Sequence, residues 1–168
     1  MNNNIARVLS LLSLFFIEAV MAAPPGYVIQ FPAQQNWKIG HEQRQGNSFI
    51  QEFVKSDESV QAWSEMVTIS HMEQPTRTSV ETVVTRTING LKKGCPSFKH
   101  SVISNNSTTV IFRWSDDGCG GWPAQEGVMH IAATENGVFN FQYAYLKNKV
   151  SPSVDEWVNT ISEVKIVP

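Results

Sequence analysis

The sequence predicts an α+β domain: an antiparallel sheet of about six to eight strands with two amphipathic helices packed on it. Three observations predict it. Short runs such as Phe139-Asn140-Phe141-Gln142-Tyr143 alternate apolar and polar residues, the period of a half-buried strand. The turns between runs are of hairpin length, above all Glu135-Asn136-Gly137, whereas a parallel sheet needs a crossover helix between successive strands. Two segments switch to the 3.6-residue period of a helix with one apolar face. Apolar residues make up 42% of the 168-residue chain and charged residues 17%, enough for a core and too apolar for a disordered chain.

The elements follow in order. Met1 to Arg7 is polar with one positive charge, and Val8 to Ile17 is an uncharged run of ten residues. Val20 and Ala22 then fit the small-residue cleavage site that completes a secretory signal peptide. The run is shorter than the roughly 20 apolar residues of a membrane span, so an uncleaved anchor is the lesser alternative. Residues 1–22 are read as the signal and residues 23–168 as a single exported domain, periplasmic or extracellular, with no transmembrane segment in the mature chain.

Tyr27 to Phe31 reads as a first strand ended by Pro32, and Trp37 to Gln43 as a second. Gln45-Gly46-Asn47 turns into Ser48 to Lys55, which places Phe49 and Phe53 on one face and Ile50 and Val54 on the other. A connector holding Trp63 leads to Glu65 to Met72, with Val67, Ile69 and His71 on one face and a break at Pro75 and Thr76. The first helix is capped by Thr78, with Glu81 as its capping-box partner. Val80, Val83, Val84, Ile88 and Leu91 form its stripe, Lys92 and Lys93 complement the dipole, and Gly94 is the left-handed stop. Phe98 to Ser104 and Thr108 to Ser115 form a hairpin around Asn105-Asn106-Ser107, with Val110, Phe112 and Trp114 on one face. Val128 to Thr134 and Val138 to Leu146 form the second hairpin, and Phe139, Phe141, Tyr143 and Tyr145 line one face of it. Ser153 opens the final helix with Glu156 as capping partner, and Val154, Trp157, Val158 and Ile161 are its buried stripe.

Export decides the two cysteines. In an oxidising compartment Cys95 and Cys119 default to a disulfide, closing a loop of about 25 residues worth about 3.5 kcal/mol on the chain-entropy model. A metal site or a redox pair would favour C-x-x-C spacing, which is absent.

Trp63-Ser64-Glu65-Met66-Val67-Thr68-Ile69, followed by the capped helix, Cys95, a Trp-bearing strand and Gly118-Cys119, resembles a group of uncharacterised exported proteobacterial proteins over most of the mature chain. The order of elements is also similar to the Mog1/PsbP-like α/β sandwich. Neither resemblance brings catalytic residues to positions of this sequence, and fold analogy does not give function.

The most informative loop is Ser115-Asp116-Asp117-Gly118-Cys119-Gly120-Gly121-Trp122-Pro123. Its glycines permit unusual backbone angles, and Trp122 beside Pro123 offers a rigid contact surface of the kind found at binding hot spots. Asp116, Asp117, Trp122 and Pro123 are therefore the candidate binding residues. The opposing reading folds Trp122 back on the sheet and leaves the glycines only to make turns. Asp116-Asp117-Gly118 is part of a calcium-loop pattern, but the further ligands that complete it are missing; a solvated turn is the plainer reading, and no metal is assigned.

Of His41, His71, His100 and His130, His71 and His130 fall on strands and would make a zinc pair only by meeting across the sheet. Glu52 and Glu65 make a carboxylate pair only if adjoining strands bring them together. No G-x-S-x-G elbow and no glycine-rich phosphate loop ahead of a helix are present. Asn105-Asn106-Ser107-Thr108 holds glycosylation sequons, relevant to a eukaryotic source. The aromatic row is a buried face beneath a helix, or an open binding platform if no helix covers it.

Thirteen basic and 15 acidic side chains give a net charge of −2, against the broad basic field of nucleic-acid binding. No cofactor is implied. The leading reading is a non-enzymatic exported binding or interaction protein whose partner is another protein, of the envelope or of a host. The alternatives are an envelope-polymer hydrolase and a small-ligand carrier with an apolar pocket between sheet and helix.

Overall fold

A computed structural model describes residues 26–32, 36–74, 78–149 and 154–167. The export signal, the break at Pro75 and Thr76 and the cap at Ser153 lie outside the described residues.

After a short strand β1 (Gly26–Val28), two antiparallel meanders build the main sheet. β2 (Trp37–Gln45), β3 (Ser48–Lys55) and β4 (Glu65–Glu73) form the first. Helix α1 (Val80–Gly94) then carries the chain to the far edge of the sheet. From there β5 (Lys99–Asn105), β6 (Thr109–Asp116), β7 (Gln125–Thr134) and β8 (Gly137–Leu146) return to the centre. The meanders meet where β8 pairs with β4, giving the order β2-β3-β4-β8-β7-β6-β5. Helix α2 (Val154–Ser162) follows, and a last strand β9 (Lys165–Val167) pairs with β1 in a separate two-stranded sheet. The result is the α+β architecture that the alternation, the hairpins and the two helical periods predict.

Side-chain alternation sends one set of residues to each face. Val67, Ile69, Phe139, Phe141 and Tyr143 pack with Trp157 and Ile161 of α2. Val110, Phe112, Trp114, Met129 and Ile131 pack with α1 on the opposite face. Because α2 covers it, the aromatic row of β8 is core and not an open platform: Tyr143 stacks on Trp157 with ring centroids 4.3 Å apart. The hairpin at Asn136-Gly137 forms as expected. Gly137 has φ +146°, and a Cβ there would stand 2.3 Å from the backbone oxygen of Met72, so the turn needs glycine twice over.

The structure corrects the sequence reading at several ends. The first strand stops at Val28 and joins β9, a strand the sequence reading lacked; Phe31 leaves the strand to pack against Trp37, Phe53 and Trp157. The cap of α1 is Ser79 instead of Thr78, and its side chain accepts from Thr82 N–H at 3.2 Å. Gly94 is not a left-handed stop. The helix ends because Cys95 turns extended (φ −141°), with its N–H donating to Leu91 O.

Candidate functional site

The loop after β6 is built by three devices. First, Cys119 is disulfide-bonded to Cys95, their Cα atoms 5.3 Å apart, which ties the loop to the end of α1. Second, Trp122 N–H donates to Cys119 O at 2.9 Å, closing a tight turn over Gly120 (φ +61°) and Gly121 (φ +88°). Both central positions need positive φ, which glycine adopts without a steric penalty. Third, Gly118 N–H donates to Asp116 Oδ1 at 2.8 Å, and Asp117 N–H donates to Ser97 Oγ at 3.0 Å.

This scaffold points Trp122 outward. The side chain is 59% exposed, and Pro123 beside it is also exposed. The reading in which Trp122 folds back on the sheet is therefore set aside. The two aspartates turn to other tasks. Asp116 makes an Asx turn with Gly118, and Asp117 accepts from Lys147 Nζ at 3.0 Å. That hydrogen bond and the lysine's charge hold the Asp117 carboxyl below its usual range. An oxygen of Asp116 lies within 4.8 Å of both cysteine sulfurs, but sulfurs bonded to each other offer no thiolate to a metal.

Beside the loop, cross-strand register assembles a polar row: Glu65 opposite Tyr145, Tyr145 opposite Glu126, Glu126 opposite Ser115, and Ser115 opposite Lys99. The sequence reading missed this row, which depends on pairings across five strands. Tyr145 OH donates to Glu126 at 2.6 Å, and Lys147 lies 3.5 Å from the same carboxylate. Tyr143 OH donates to Glu65 at 3.0 Å, with Lys55 at 3.4 Å. Burial, and then the Glu65 charge, push the Tyr143 hydroxyl far above its usual range, so it stays a donor. Each carboxylate is thus held by a tyrosine hydroxyl and a lysine. An open cleft of about 360 Å³ continues past Arg113, which pairs with Asp155 of α2.

The remaining candidates do not converge. Glu52 pairs with Thr68 and shares the α1 face with Val54, while Glu65 shares the α2 face with Val67, so the two carboxylates lie on opposite sides of the sheet. His71 and His130 share the α2 face without meeting. His71 contacts Phe139 (4.5 Å), Phe139 stacks on Phe141, and Phe141 contacts His130 (5.7 Å), so two phenylalanines stand between them. Asn106 is spent in its hairpin, where Oδ1 accepts from Thr108 and Thr109 N–H at 2.9 Å.

No helix among the described residues is long and apolar enough to cross a membrane. Neither a curated protein nor a solved structure matches the chain. A protein-family model does match it, over residues 23–165, and the chain belongs to that family.

Proposed function

We propose that this chain is an exported, non-enzymatic binding protein that docks on another protein through Trp122 and Pro123. The observation that carries this reading is the exposure of Trp122 on a loop fixed by a disulfide and a glycine turn. A rigid aromatic loses little conformational entropy on contact, which is why such residues dominate binding hot spots. Asp117 and Lys147 supply a polar rim beside it. Export is supported by the signal-like first 22 residues and by a disulfide that suits an oxidising compartment. A hydrolase is less well supported, because the nearby carboxylates of Glu65 and Glu126 are already engaged by tyrosine and lysine.

The test is crosslinking in cells expressing the full chain, read by mass spectrometry, with Trp122→Ala as control. Trp122 belongs to neither buried cluster, so the thermal midpoint should stay within roughly 2 °C. A protein crosslinked to the wild type and lost from the mutant supports the reading. An identical set of crosslinked proteins in both, or none, defeats it.

A further inference from the structure

Helix α1 covers its side of the sheet without filling the space beneath it. Of its 15 residues only Val80 is buried; Val83, Val84, Ile88 and Leu91 reach the sheet but stay partly exposed. Its composition explains the loose seat. Valine, threonine and isoleucine are stiff at χ1 and cannot swing into a gap as methionine does. Between the helix and strands β4, β8 and β7 lies a cavity of about 320 Å³, the size of a small-molecule site. Val83 of α1, Ile131 of β7 and Val138 of β8 line it, and Met72 of β4 stands 62% exposed at its edge.

Six polar side chains share the lining with these apolar ones (Ser70, Gln74, Thr78, Arg86, Thr87 and Asn140), and two of them bear on what the cavity could hold. Asn140 of β8 keeps its Oδ1 away from solvent and without a hydrogen-bond partner. A buried amide oxygen left unmade is costly, and native structures meet such atoms with a water or a ligand. Arg86 of α1 also lines the cavity; it is exposed and makes no ion pair among the described residues.

We propose that this cavity binds a small amphiphile: an apolar body against Val83, Ile131 and Val138, a hydroxyl at Asn140, and an anionic end at Arg86. Because Oδ1 is shut off from solvent, binding turns the Asn140 amide toward the cavity, and a hydroxyl suits either of its ends, since it both donates and accepts. The anionic end stays near solvent, where Arg86 satisfies it without burying an ion pair. This site is independent of the Trp122 surface and stands or falls separately from it.

The test uses the oxidised chain without its signal, titrated with 3-hydroxydecanoate and with decanoate and followed residue by residue by ¹H–¹⁵N NMR. Both acids should shift the amides of Ser70 to Met72, Val83 to Thr87 and Val138 to Asn140, and the hydroxy acid should bind about tenfold tighter. Asn140→Leu should retain decanoate binding and erase the preference for the hydroxy acid. Arg86→Gln should weaken both acids alike. Val83→Trp should abolish binding of both while keeping a dispersed spectrum; if that variant does not fold, the Asn140→Leu comparison decides. The proposal is overturned if neither acid moves these amides, if the shifts fall on the α2 face instead, or if the preference survives in Asn140→Leu.

Discussion

At the scale of single residues, the two buried histidines are structural groups, and His130 carries a pH signature. A carbonyl oxygen can only accept, so Nδ1 carries the proton in each ring: His130 donates to Ile161 O at 2.9 Å and His71 to Asn47 O at 2.7 Å. The Nε2 of each is buried without a partner, and at His130 a second proton would place an uncompensated charge in the core. Burial holds His130 below the ordinary imidazole range, opposed only in part by the Ile161 carbonyl. The folded chain therefore binds fewer protons here than the unfolded one. The His130 contribution to stability is complete above about pH 6.5 and is lost as pH falls through the lower folded value. The urea midpoint should drop between about pH 7 and about pH 5, and the drop should be shallower in His130→Gln. Parallel pH curves for the two proteins would remove His130 from the account.

At the scale of elements, the two helices are held by different physics. Helix α2 is anchored by Trp157, which is fully buried, stacks on Tyr143 and meets Trp37 edge-on at 5.4 Å. Trp157→Ala should cost about 3–5 kcal/mol in equilibrium urea unfolding. Helix α1 packs less deeply and leans on its cap, so Ser79→Ala should cost about 1 kcal/mol in the same measurement. Helix periods and strand faces were legible in the sequence because both depend on spacing along a single segment. The Thr78 expectation failed because the Thr78–Glu81 spacing fits a capping box, whereas the chain uses Ser79 with the Thr82 hydroxyl 2.8 Å from its own. Strand β9 was not legible, because three residues carry no alternation and only its partner β1 defines it. The Glu65–Tyr145–Glu126 row stayed hidden for a related reason: cross-strand register is a property of pairs of segments. The outward direction of Trp122 rests on the turn between Cys119 and Trp122, which the glycines permit but do not dictate.

At the scale of the whole molecule, one covalent tie joins the crossover helix to the second meander. Cys95 follows the last turn of α1, and Cys119 lies in the loop between β6 and β7, so the disulfide fixes where the helix lands on the sheet. On the chain-entropy model, closing a loop of about 25 residues is worth about 3.5 kcal/mol, which for a chain of this size is roughly 10 °C in Tm. Reduction, or the pair Cys95→Ala with Cys119→Ala, should lower the midpoint by that amount without removing the sheet. Its effect should also be uneven. Strands β7 and β8 are buried and paired on both sides, while Gly118, Gly120 and Gly121 retain wide backbone freedom once the tie is cut. Amide hydrogen exchange on the reduced protein should therefore speed up most from Asp117 to Trp122 and least along β8. Equal acceleration in both regions would show that the disulfide stabilises the fold globally and does not hold Trp122 in place. Two free thiols in the native exported protein would remove the tie from the account altogether.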